Sequence, residues 1–167
     1  MTNAGAAARI DLAGRESRVA TGVAVLDHLL EELGAAGGFG LSLEIAPDAP
    51  EAEVGRAGEA LGDALALLLH EGGAGRGLGV APADEALAMV VVEASGRPLV
   101  ASNADLTSTR AGGLQTDLAA TFLDELANAA GLTIHVRLIE GENSQHVMSA
   151  IFKALGIALA RATRGDA

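Results

Sequence analysis

Four histidines are the side chains of this 167-residue sequence best suited to chemistry near neutral pH, since it has no cysteine to form a thiolate or a disulfide. His146 stands directly after Gln145 in GENSQHVMSAIFKAL, where an apolar helix begins. An imidazole there can ligate a divalent metal through a neutral ring nitrogen, or it can be satisfied by hydrogen bonds at the helix start. His28 lies at helical spacing in LDHLLEEL, and His135 lies between Ile134 and Val136 on an alternating run. Partial burial accounts for His28 as readily as ligation does, and for His135 a place in the core or at an interface is expected ahead of ligation. His70 closes a helix, where an imidazolium favours the helix dipole. The glycine-rich GGAGRGLG at 72–79 follows a helix rather than a strand and lacks the Lys-Ser/Thr of a phosphate loop, so a flexible loop is expected there. Serine-nucleophile signatures are absent.

The elements that must position these residues repeat once along the chain. EALGDALALL at 59–68 lies over KALGIALARA at 153–162, and LLEELGAAGGFGLSLEI at 29–45 over FLDELANAAGLTIHVRLI at 122–139. The same order at nearly the same offset points to duplication. Each half reads as helix, strand, loop, helix. The first half has a helix over 23–36 that stops at Gly37-Gly38, a strand FGLSLEI with Phe39, Leu41, Leu43 and Ile45 on one face, and a helix over 52–70. The second half has a helix over 115–130, a strand over 132–139 and a helix over 144–164. Between them, a strand over 89–93 turns at Ser95-Gly96-Arg97-Pro98 into another strand. ARIDLAGRESRVATG at 8–22 reads as an N-terminal hairpin. The expected fold is α+β: a duplicated two-half sandwich with helices packed on mixed or antiparallel sheets. It forms one domain over 1–167, with halves at about 8–80 and 85–165.

Bulk properties narrow the function. A net charge of −11 argues against nucleic acid, and three Phe with no Tyr or Trp leave no stacking platform. Half of the residues are apolar and the mean hydropathy is +0.34. No uncharged apolar run approaches the roughly 18 residues of a membrane helix. The surplus apolar surface is expected between subunits of a homo-oligomer. No basic stretch followed by an apolar one opens the chain, so a cytoplasmic location is expected.

Three tracts together, TGVAVLDHLLEELGAAGGF, PADEALAMVVVEASGRP and TDLAATF through GLTIHVRLIEGENSQHVMSAIFKAL, resemble imidazoleglycerol-phosphate dehydratase. That family is the manganese-dependent lyase of histidine biosynthesis. The resemblance runs over about 20–163 and implies paired α+β halves assembled into a closed multi-subunit shell. It also implies two metals that hold the substrate's imidazole as an imidazolate. Proton loss, hydroxyl loss and tautomerisation then give the ketone.

Each half of the family carries His-His-x-x-Glu at the start of its second helix, a ligand set suited to manganese. Here the second motif reads Gln145-His146-x-x-Ser149, and the first falls on Glu51-Ala52-Glu53-Val54-Gly55. The resemblance therefore leaves His28, His135 and His146 as remnant metal ligands, with Glu51 or Glu53 as conceivable substitutes. It assigns Arg97 and Lys153, with Arg76 one residue out of register, to substrate phosphate. The family's N-terminal Arg-x-Thr-x-Glu-Thr element and C-terminal Ser-Thr-Lys-Gly loop have no counterpart in this sequence. The sequence thus leads to a family member with an eroded dimetal site and little or no dehydratase activity. The alternative is a functional hydro-lyase with a rearranged metal site. The cofactor is manganese if any, and the ligand is a small phosphorylated imidazole or none.

Overall fold

Alternation in FGLSLEI has its physical outcome in burial: Leu41, Leu43 and Ile45 face inward while Ser42 and Glu44 face solvent. A computed structural model of the chain describes residues 5–70, 73–104, 106, 110–111 and 114–164. In chain order the elements are β1 (Ala6–Asp11), β2 (Arg18–Ala20), α1 (Ala24–Gly37), β3 (Gly40–Ile45) and α2 (Pro50–His70). There follow β4 (Arg76–Ala83), β5 (Ala86–Glu93), β6 (Leu99–Ser102), the short pair β7 (Arg110–Ala111) and β8 (Leu114–Gln115), α3 (Thr116–Ala130), β9 (Thr133–Glu140) and α4 (Ser144–Thr163).

Sheet A has the order β1-β3-β2, and sheet B the order β4-β5-β9-β6. In each, the strand before the last helix is central, β3 or β9. It is antiparallel to β1 or β5 and parallel to β2 or β6. Helices α1 and α2 cover sheet A, and α3 and α4 cover sheet B. The helical layers meet through α1 with α4 and α2 with α3, giving an α+β sandwich of sheet, helices, helices and sheet. Phe39, Phe122 and Phe152 are all buried between these layers. Full burial of each such side chain contributes about 1.5–3 kcal/mol.

Two expectations are corrected. Residues 8–22 are not a hairpin, because β1 and β2 flank β3 on opposite sides. The second half of GGAGRGLG is not a loop, because residues 76–79 open β4. Its glycines are strand glycines. A Cβ on Gly77 would lie 1.9 Å from the Ala158 carbonyl oxygen, and one on Gly79 2.0 Å from that of Ala154. They let β4 lie directly on the backbone of α4, which no residue with a side chain allows.

Candidate active site

The start of α4 is fixed by hydrogen bonds that its sequence supplies. Asn143, in extended conformation, accepts from the N–H groups of Gln145 and His146 at 3.0 and 3.2 Å. The β4–β5 turn reaches the same point. Its Asp84 takes a positive φ of 54°, a conformation that Asp tolerates. Glu85 accepts from the backbone N–H groups of Glu142 and Asn143 at 3.2 and 3.0 Å.

These two carboxylates clasp His146. Nδ1 lies 2.5 Å from Glu85 Oε1, and Nε2 lies 3.2 Å from Asp84 Oδ2. A doubly protonated ring donates to both. The Glu85 hydrogen bond lifts the ring's pKa above its ordinary 6.5; the nearby charges add to the lift and burial opposes it. Glu85 is itself held down at about 2, first by the Asn143 N–H and then by His146.

His28 and His146 meet in one cleft of about 380 Å³ between the N-terminal turns of α1 and α4. Gln145 and Ser149 line it on an apolar wall that includes Leu29 and Met148. Beneath lies Glu32, which the sequence reading did not identify. It accepts from Ser149 Oγ at 2.8 Å, sits 3.4 Å from His28 Nε2 and 3.8 Å from Lys153 Nζ. The available signal was an acidic residue one helical turn after His28, on the same face. In the first half, Glu51 is exposed at the start of α2, while Glu53 turns inward and is only 6% exposed. Glu53 Oε2 accepts from the Asp48 N–H at 3.3 Å.

The remaining expected site residues lie elsewhere. His135 faces outward from sheet B, opposite Val91 on one side and Ala101 on the other. It does not join His28 and His146 within one chain. Arg76 is paired with Glu93, its Nε and Nη2 at 3.2 and 3.1 Å. Arg97 shares a shallow cleft with Glu93, Ser95, Leu99 and Thr133. Both arginines sit at the far end of β5 from Glu85, and eight strand residues put roughly 23 Å between the two ends. Of the basic residues assigned to phosphate, only Lys153 is near the cleft.

Among the described residues, no group of three or more His, Asp or Glu is disposed to hold a metal ion. His146 has both nitrogens engaged by carboxylates, and the carboxylate positions of the two motifs hold Ser149 and Gly55.

The family model described as "Imidazoleglycerol-phosphate dehydratase" matches residues 21–159. Imidazoleglycerol-phosphate dehydratase of Prochlorococcus marinus (strain MIT 9211) is 37% identical over 95% of this chain and 82% of its own. That of Aromatoleum aromaticum is 38% identical over 95% of this chain and 85% of its own. The crystal structure of the Staphylococcus aureus enzyme superposes with a TM-score of 0.87 at 32% identity, covering 98% of this chain and 95% of that one. The Pyrococcus furiosus structure, in complex with (S)-C348, gives 0.86 at 28% identity, covering 99% and 93%.

Proposed function

Because the chain belongs to the imidazoleglycerol-phosphate dehydratase family of histidine biosynthesis, we propose that it is a member that keeps the scaffold and has lost the dimetal chemistry. The observation that carries this reading is the clasp on His146. A ring that donates to Glu85 and Asp84 offers no lone pair to a metal, and the ligands that would flank it are an amide and a hydroxyl. A manganese pair would supply Lewis acidity and hold the imidazolate, and apolar or neutral residues do not replace that. The chain then holds no stoichiometric manganese, and its cleft takes a small imidazole compound without turnover or takes none.

The chain assembles with copies of itself through the outer face of sheet B. That face carries Leu78, Val80, Leu99 and Ile139, each 45–55% exposed, around His135. An antiparallel sheet with a solvated face alternates apolar with polar residues, and this one does not. Among the described residues, no helix is long and apolar enough to cross a membrane. We assign the protein to the cytoplasm.

A second reading is an active dehydratase with a rearranged metal site. It is favoured by the relatives' shared name and by the Glu32 carboxylate, which meets Ser149 where a glutamate of the motif would stand. Assay of water elimination from imidazole glycerol phosphate, with manganese supplied, separates the two. The first reading expects no turnover above the protein-free rate. Turnover abolished by a chelator establishes the second.

A further inference from the structure

Glu32, Glu85 and Asp84 stand behind the cleft between α1 and α4, and each takes up a donor of its lining. Ser149 Oγ donates to Glu32 Oε1 at 2.8 Å, so lone pairs are what it has left for the cleft. His28 turns Nε2 toward the same oxygen at 3.4 Å, and a neutral ring that keeps its proton there has its acceptor on Nδ1. His146 gives Nδ1 to Glu85 and Nε2 to Asp84, which leaves it neither an N–H nor a lone pair to offer. Gln145 lines the same cleft, and among the described residues its side-chain amide has no hydrogen-bond partner, so its oxygen is open to a donor. The polar lining therefore accepts more than it donates.

Charge has the matching sign. Among the described residues beside the cleft, Lys153 is the one fixed cation, and it already lies 3.8 Å from Glu32 Oε2. Three carboxylates stand against it. Helix N-termini ordinarily favour anions, but the chain's own carboxylates hold that place at both helices. Glu85 accepts from the N–H groups of Glu142 and Asn143 ahead of α4. Asp27, in the first turn of α1, accepts from the N–H of Thr21 at 2.8 Å and from its hydroxyl. A phosphate brought here would be repelled by Glu32, Asp84 and Glu85, with the nearest ammonium already paired.

We infer that the cleft takes a small organic cation, an imidazole whose side arm carries an ammonium in place of a phosphate, a choice that rests on the reading of the site as free of manganese. The volume of about 380 Å³ suits a one-ring compound. The ring lies on the apolar wall of Leu29 and Met148. Its N–H and the ammonium find acceptors in Ser149 Oγ and Gln145 Oε1, and Glu32 supplies the negative field behind them.

Three probes share the ring and differ in the charge of the arm: histamine, 4-methylimidazole and imidazole-4-acetate. Each is titrated into the intact protein at pH 7 while the Met148 methyl resonance is followed by NMR. We expect histamine to bind at least tenfold more tightly than imidazole-4-acetate, with 4-methylimidazole between them. Glu32→Gln, which keeps an acceptor for Ser149 and removes the charge, should bring the three within about threefold of one another, with the circular dichroism unchanged. The inference is overturned if imidazole-4-acetate binds as tightly as histamine, if histamine at 10 mM leaves Met148 unmoved, or if the preference survives Glu32→Gln. Manganese content of the same samples separates the two failures. A manganese-free protein that ignores histamine removes this inference alone, whereas manganese retained at one ion or more per chain removes the reading beneath it as well.

Discussion

His146 Nδ1 lies 2.5 Å from Glu85 Oε1, and the same carboxylate takes the N–H groups of Glu142 and Asn143, so one turn glutamate fixes both the ring and the start of its helix. This makes His146 an ion-pair partner, and its titration should report it. The ring should titrate above 6.5 by NMR, and Glu85→Gln should bring it back toward 6.5. A folded pKa above the unfolded one gives stability that is complete below pH 6.5 and lost as pH rises through the elevated value. Glu85 works in the opposite direction: its contribution is present above 4.5 and lost as pH falls toward about 2.

Ser149 donates to Glu32, so a glutamate side chain in its place would put two carboxylates within contact. Ser149→Glu should cost on the order of 1 kcal/mol at pH 7, a fall of about 2–4 °C in Tm for a domain of this size. The loss should shrink as pH falls, because protonating one member of a like-charge pair removes the repulsion. Manganese at millimolar concentration should restore Tm in this variant, where the introduced carboxylate joins His28 and Glu32 as a third ligand, and leave the parent unchanged.

The strand glycines can be tested separately from the site. Gly77→Val forces a side chain into the Ala158 carbonyl, which is backbone and cannot swing away. We expect a loss of about 3 kcal/mol or more by denaturant unfolding. Gly96→Ala, which meets no atom within 4 Å, should cost only the strain of a φ of 75°, about 1 kcal/mol.

These glycines also show where the sequence was hard to read. In one dimension GGAGRGLG has the composition of a loop, and only the helix that comes back from residues 144–163 to lie on it makes it a strand. The duplication was legible because α2 and α4 carry the same small-residue pattern at a fixed offset. The meeting of His28 with His146 followed from the family motif rather than from spacing. Glu32, Asp84 and Glu85 as partners were not legible, because each contact to His146 or Ser149 joins elements far apart in the chain. His135 went outward because its neighbours Ile134 and Val136 take the buried face.

The outer face of sheet B should hold the oligomer together. Val91→Glu, set between Leu78 and His135 in the register, buries a charge if that face is covered. Sedimentation should show the assembly reduced to smaller species, with the circular dichroism of the fold retained. An unchanged sedimentation coefficient would remove this face as the contact.

The most direct test of the eroded site is manganese content by elemental analysis of protein purified with and without added manganese. Manganese well below one ion per chain, with the oligomer intact in both preparations, is the expected result. One or more manganese ions per chain, retained through gel filtration, would contradict it and return the chain to the active members of its family.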